Sequence, residues 1–297
     1  MIPSAFDYAA PTTVEEALGL LSAADEAGDE VKVLAGGQSL IPVMKLRLAD
    51  PSLVIDLGRI PSLSGITDDG DFLTIGAMTT HHVMETDPLL ATHLPLLQMA
   101  AGTVADPQVR HRGTFGGALV HADPAGDMLA PVLATGATFT VSGPNGQRSV
   151  DAADFFQGYF TTAVEDGEIL TSIKVPKYTG WGAHYEKFTR VAQQWSIVAV
   201  AAMVRIQDGV IAEARLGLTN MASTPLRATA TEAALAGCAL TQEAIAAACA
   251  HAAEGTEPAS DLNGDAEYRR HLVQVVAKRA VMKAAGLQPD GLKRTRE

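Results

Sequence analysis

Two glycine-centred segments hold the residue types that could do chemistry in this chain: Ala35-Gly36-Gly37-Gln38-Ser39-Leu40 and Thr114-Phe115-Gly116-Gly117-Ala118. Each offers backbone N–H groups without a β-carbon in the way, and each has a neighbouring hydroxyl, Ser39 in the first and Thr114 in the second. Glycine allows a backbone to approach a ligand closely, and successive N–H groups in such a turn form a nest that attracts anions. The pair therefore reads as a grip for a diphosphate, in which a valine at Gly37 or Gly116 would put a branched side chain where phosphate oxygens sit. The chain has neither the G-x-G-x-x-G of a dinucleotide-binding turn nor the G-x-x-x-x-G-K-[ST] of a P-loop, so NAD and ATP lose their usual support.

The elements that must position these loops follow from periodicity and turn chemistry. Thr12 or Thr13, followed by Glu15 and Glu16 and apolar residues at helical spacing, predicts a first helix. Residues 31–34 form a β-type run ending at the first motif, and 53–57 and 72–75 are further strands. Helix-like stretches at 81–84 and 94–99 lead towards the second motif, a buried helix follows at 128–133, and 137–141 with 148–150 flank a turn at Gly143-Pro144-Asn145-Gly146. Beyond residue 177 the pattern changes to strands at 184–190, 196–207 and 210–218, then helices at 228–235, 242–253 and 266–285.

With 47% apolar and 19% charged residues over 297 positions, the chain is a folded protein of two or three domains. A formal net charge of −12 argues against nucleic acid as a partner. The start shows no secretory pattern, and the apolar run 197–204 is far short of the roughly 20 residues needed to span a bilayer. The expected location is the cytoplasm, or a peripheral place at the inner face of the membrane. Cys238 and Cys249 lie in an Ala-rich, helix-patterned stretch and read as core thiols; two cysteines cannot hold an iron–sulfur cluster unaided.

Taken in order, Val31 to Leu48 with the first motif, the strand Leu53 to Leu57, and Arg112 to Asp127 with the second motif resemble the FAD-binding medium subunit of the molybdenum hydroxylases, and within that family the carbon monoxide dehydrogenase type. The resemblance runs from about Phe6 to about Gly286. It implies an α+β fold: a two-lobed PCMH or vanillyl-oxidase-type FAD-binding domain over 1–176, with lobes of about 1–60 and 61–176. A smaller C-terminal α+β domain over 177–290, a three-stranded antiparallel sheet plus helices, would follow, with a flexible tail at 291–297. The resemblance implies FAD at Ala35, Gly36, Gly37, Gln38, Ser39, Leu40, Thr114, Phe115, Gly116, Gly117 and Ala118, with Asp127 on the dinucleotide's sugar portion. It also implies Lys187 near the flavin's pyrimidine edge, and Trp195, a few residues later, is a candidate to cover the isoalloxazine. From the residues alone, Asp127 could equally cap a helix or sit in a solvated loop, Lys187 could point to solvent from a strand, and Trp195 could be core. Gln38 stands where carbon monoxide enzymes often have His, and Ala118 where some relatives carry a polar residue.

Other histidines are read more plainly. His81-His82 has no third ligand at suitable spacing for zinc, which favours a surface or capping role, and His111 and His121 have no visible partner that would make either a catalytic base. Nothing in the sequence resembles a molybdopterin site. The resemblance therefore implies a relay subunit that works with a large molybdenum subunit and a small [2Fe–2S] subunit, as a dimer of heterotrimers. Electrons would reach FAD here and leave to a quinone or a soluble carrier. A medium subunit for an aldehyde, purine or N-heterocycle hydroxylase shares nearly the same residues, and a freestanding flavin oxidoreductase is the third reading.

Overall fold

The structure is a computed structural model that describes residues 2–288, so the tail expected at 291–297 lies outside the described residues. Two compact units form, each from several stretches of chain. The first takes residues 2–89, 104–123 and 136–177, and the second takes 90–103, 124–135 and 178–288.

In the first unit, strands β1 (Asp7–Ala9), β2 (Val31–Leu34) and β3 (Leu53–Asp56) make a parallel sheet in the order β1-β3-β2. The Val14–Ala27 helix starts as its sequence predicts: the Thr13 hydroxyl accepts the Glu16 N–H at 3.1 Å, and the Glu16 carboxylate accepts the Thr12 N–H at 2.7 Å. Gly28 ends the helix at φ 74°, where a side chain would be strained. Ala17 of that helix packs with Ile55, Leu57, Ile60, Leu63 and Ile169.

The second sheet of this unit is antiparallel. It is built from β4 (Ile66–Asp69), β5 (Phe72–Gly76), β6 (Thr138–Gly143) and β7 (Gly146–Asp151); after a small hairpin of β8 (Phe156–Gly158) and β9 (Thr161–Thr162), β10 (Ile169–Pro176) enters between β5 and β6. The hairpin read at Gly143 to Gly146 is β6–β7. Under it the rings of Phe139 and Phe155 stack at 3.9 Å, with Phe156 edge-on to both.

The second unit is organised on β11 (Gly182–Phe188), β12 (Val198–Gln207) and β13 (Val210–Thr219), with the short strands β14 (Leu226–Arg227) and β15 (Cys238–Ala239) added along β13. Val198 to Val204 are all buried, as expected of a central strand covered on both faces. Val198, Val200, Ala202 and Val204 join Val273, Val276, Ala277 and Ala280 of the Ala266–Ala284 helix in one core. The alternate residues face the Pro95–Gly102 and Leu129–Thr135 helices. Gly217 on β13 has no room for a side chain, because the Ala130 carbonyl oxygen would lie 2.2 Å from its β-carbon. The strand expected from residue 196 begins only at Val198, because the groups of Ser196 and Ile197 are bonded elsewhere. Among the described residues no helix is long and apolar enough to cross a membrane.

Phe139 is fully buried in the aromatic stack, so Phe139→Ala is expected to destabilise the first unit by about 3–5 kcal/mol, read as a lowered urea midpoint in equilibrium unfolding.

Candidate functional site

The two glycine motifs meet in the first unit. A β-carbon on Gly36 would lie 2.2 Å from the Arg112 carbonyl oxygen and 2.7 Å from the Gly113 α-carbon, so the loops touch backbone to backbone. One on Gly117 would lie 3.2 Å from the Ala35 β-carbon, a second point of closeness between the same segments. Gly37 turns the first loop at φ 74°, and the Leu40–Lys45 helix follows.

The two loops use their N–H groups differently. In the second, the Phe115 N–H donates to the Thr79 carbonyl at 2.8 Å, the Gly116 N–H to the Ala77 carbonyl at 2.8 Å, and the Gly117 N–H to the Thr114 hydroxyl at 3.2 Å. These three amides are consumed by the protein, which corrects the expectation that both loops offer free donors. In the first loop the N–H groups of Gly36, Gly37, Gln38, Ser39 and Leu40 have no acceptor among the described residues, and neither does the Ser39 hydroxyl. Five successive unengaged donors and a hydroxyl on a half-buried loop fit a diphosphate well. Gln38 is exposed and reaches back to the Gly36 carbonyl at 3.4 Å, Ala35 and Leu40 are half-buried beside the donors, and Phe115 is an anchor with no exposed surface. Ala118 lies half-buried in the helix behind the second loop.

The same geometry corrects the reason for Gly116. Its β-carbon would collide with Ala77, 2.5 Å from that side chain and 2.7 Å from its carbonyl oxygen, so Gly116 is required by packing inside the unit. At Gly37 the obstacles are the positive φ and the Ile41 side chain at 2.7 Å.

Behind the loop junction lies His81, which is 3% exposed and therefore not the surface residue its sequence context favours. Its N–H donates to the Gly113 carbonyl at 2.9 Å, its Cδ2 would be 3.1 Å from a β-carbon on Gly113, and its Nδ1 is buried without a partner. Burial, aided by the Arg110 cation, lowers its pKa to about 4. Arg110 is itself paired with Glu85 at 2.8 Å, and the His82 and His111 rings stack at 4.0 Å.

Asp127, Lys187 and Trp195 belong to the second unit. Asp127 is 5% exposed and both its oxygens are engaged there: Oδ1 accepts from Tyr185 at 2.9 Å and Ser196 at 2.8 Å, and Oδ2 accepts from Lys187 at 2.7 Å. Lys187 also donates to the Thr103 carbonyl at 3.1 Å. Burial raises the Asp127 carboxyl against the opposing pull of Lys187, and it pushes the Tyr185 hydroxyl well above its ordinary value. Neither alternative of a solvated aspartate or a solvent-facing lysine describes these side chains. Trp195 is 54% exposed and is not core. Sequence reasoning missed Tyr185 and Ser196; Tyr185 and Lys187 lie two apart on one strand, a spacing that puts them on the same face. Cys249 is core, its thiol pushed up to about 12 by burial, whereas Cys238 is only half-buried.

Two outcomes test this site. Gly36→Ala is expected to pry the loops apart, lowering both unfolding midpoint and FAD retention, while Ser39→Ala leaves the midpoint unchanged and weakens FAD binding about tenfold, the worth of one charge-assisted hydrogen bond. His81 carries fewer protons folded than unfolded between its ordinary 6.5 and its folded value of about 4, so stability rises with pH across that window. Lowering the pH from 6.5 to 4 is expected to remove up to about 3 kcal/mol, and His81→Phe should flatten this part of the profile in urea titrations at each pH.

Comparison with known proteins gives these loops a setting. Residues 4–178 match the family described as the FAD binding domain in molybdopterin dehydrogenase, and residues 183–284 match the CO dehydrogenase flavoprotein C-terminal domain. The chain is 43% identical to the carbon monoxide dehydrogenase medium chain of Hydrogenophaga pseudoflava, over 95% of this chain and 97% of that one. It is 37% identical to the nicotine 6-hydroxylase medium subunit of Paenarthrobacter nicotinovorans, over 94% and 97%. A solved carbon monoxide dehydrogenase from Hydrogenophaga pseudoflava superposes with a TM-score of 0.92 at 44% identity, covering 96% of this chain and 99% of that chain. The α+β fold, an FAD-binding domain followed by a domain with an antiparallel sheet and helices, is thereby shared, and the chain belongs to the FAD-binding medium subunits of the molybdenum hydroxylases.

Proposed function

We propose that this chain is the electron-transfer subunit of an aerobic carbon monoxide dehydrogenase, working with a large molybdenum-cofactor subunit and a small [2Fe–2S] subunit in a dimer of heterotrimers. Electrons would arrive from the clusters of the small subunit and leave to an external acceptor, a quinone or a soluble carrier, on the cytoplasmic side. The observation that carries the cofactor assignment is the run of five unengaged N–H groups beside Ser39.

FAD bound there would supply an acceptor that takes electrons singly and releases them singly or in pairs. The protein's part is to bind, orient and tune. Gly36, Gly37, Gln38, Ser39 and Leu40 would hold the diphosphate through backbone N–H groups and one hydroxyl. Thr114, Phe115, Gly116, Gly117 and Ala118 would act behind them, as the wall against which the first loop rests. Asp127 would serve the sugar portion only through an oxygen lone pair left over from three donors, and it lowers the net charge that Lys187 can present to a flavin. Trp195, with its indole exposed, is available to lie against the isoalloxazine.

The substrate assignment rests on the higher identity to the carbon monoxide dehydrogenase medium chain, 43% against 37% for the nicotine 6-hydroxylase subunit. That second figure keeps the alternative in view, a medium subunit for an N-heterocycle hydroxylase.

Affinity purification of this chain from its own cell is expected to bring two companion chains, molybdenum, iron and a flavin absorption band, and the complex should reduce an artificial acceptor with carbon monoxide. Turnover with an aldehyde or N-heterocycle and none with carbon monoxide would transfer the assignment. A yellow chain without companions, reduced by a small molecule on its own, would sink the relay reading.

A further inference from the structure

We propose that Arg269 and Asn220 are positioning residues that hold the exposed indole of Trp195 in one attitude towards the flavin; this rests on the reading of Trp195 given above. Trp195 lies between the end of β11 at Phe188 and the start of β12 at Val198. An aromatic side chain that is 54% exposed on a surface loop ordinarily samples several orientations. Here the backbone that follows it is fixed by the buried Arg269 and the half-buried Asn220.

Asn220 Nδ2 donates to the carbonyl of Ser196 at 2.8 Å and to that of Ile197 at 3.3 Å. Arg269 Nη1 donates to the same Ile197 carbonyl, and the Ser196 hydroxyl donates to Asp127 at 2.8 Å. The Ile197 N–H donates to the Phe188 carbonyl at 3.0 Å, closing the base of the loop. On the other side of Trp195, the Gln194 amide oxygen accepts from the Arg190 N–H at 3.3 Å, and its Nε2 donates to Asn263 at 3.0 Å. Every residue adjacent to Trp195 is therefore tied by its side chain, its carbonyl or both.

The two groups, Arg269 buried and Asn220 half-buried, are costly choices for packing alone. Arg269 is 1% exposed, and a buried guanidinium is tolerated only with its donors satisfied; a hydrophobic residue of similar volume is often as stable or more so. Its donors go to Ile197, to Asp261 at 2.7 Å, and to the Gly264 carbonyl at 3.5 Å. Asn220 takes a left-handed backbone at φ 62°, which Asn tolerates better than most residues, and its own N–H donates to the Pro124 carbonyl at 2.9 Å. What these groups share is the Ser196–Ile197 backbone. Fixing it removes the ordering cost that a mobile indole would carry into contact with a ring.

The chain has two tryptophans, so Trp181→Phe in the full-length protein leaves Trp195 as the only indole emitter. In that background Asn220→Gly removes the amide while keeping the left-handed backbone, and Arg269→Met removes the donors while keeping much of the length. Each is expected to lower the fluorescence anisotropy of Trp195 by about a third, the gap between rigid and flexible order parameters, with FAD content unchanged and FAD quenching of the indole weakened. Unchanged anisotropy in folded variants, checked by thermal melting, would overturn the proposal; should Arg269→Met fail to fold, Asn220→Gly decides alone. Lowered anisotropy with no FAD quenching in the parent would overturn the flavin half and with it the reading of Trp195, while leaving the loop clamp intact.

Discussion

The first unit depends on one close approach, the carbonyl oxygen of Arg112 standing where any side chain on residue 36 would begin. Similar approaches lead up to it. Gly76 at the end of β5 has the Leu63 carbonyl oxygen 2.3 Å from its missing β-carbon, and Gly116 has Ala77 in the same relation. The second glycine loop is thus seated on the end of a strand, with its amides paired to Thr79 and Ala77. Because it is anchored that firmly, the first loop can rest on it while keeping its own amides unpaired. One loop gives up its donors so that the other can keep them.

That division of labour explains what could and could not be read from the residues. The glycines, the hydroxyls and the strand leading into Gly36 are local signals, and they located the loops and most of the elements. Which amides are spoken for depends on Ala77 and Thr79, whose carbonyls come from a different element, and no local pattern reports that. The β5–β10–β6 order is hidden for the same reason: β10 enters the middle of its sheet after its neighbours have already appeared in the chain. His81 reads as surface because a polar pair at a helix start resembles it, whereas only the packing of Gly113 shows that the first of the two is covered.

In the second unit the strands and the long helix were legible from apolar periodicity, but the polar interior was not. An arginine on a helix reads as solvent-facing, and Arg269 contradicts this because two loops bring it a carboxylate and a carbonyl. Tyr185, Ser196 and Lys187 likewise become intelligible only once they converge on Asp127. A fully satisfied buried network of this kind narrows the arrangements the chain can adopt, and β12 starts at Val198, one residue after its apolar sequence begins at Ile197.

The division of the chain into six alternating stretches affects its synthesis. The Pro95–Gly102 and Leu129–Thr135 helices pack on β11, β12 and β13, which leave the ribosome much later. Leu96, Leu97, Ala100 and Ala101, and Leu129, Ala130 and Val132, are buried in the finished unit, and until that sheet is made these two helices have only each other to pack on there. The second unit therefore cannot be completed from its early segments alone, and the nascent chain carries these apolar helices without their sheet until Thr219 has been made. Apolar surface left waiting in this way is what makes a partly made chain prone to aggregate, so the order of the six stretches sets when that hazard ends.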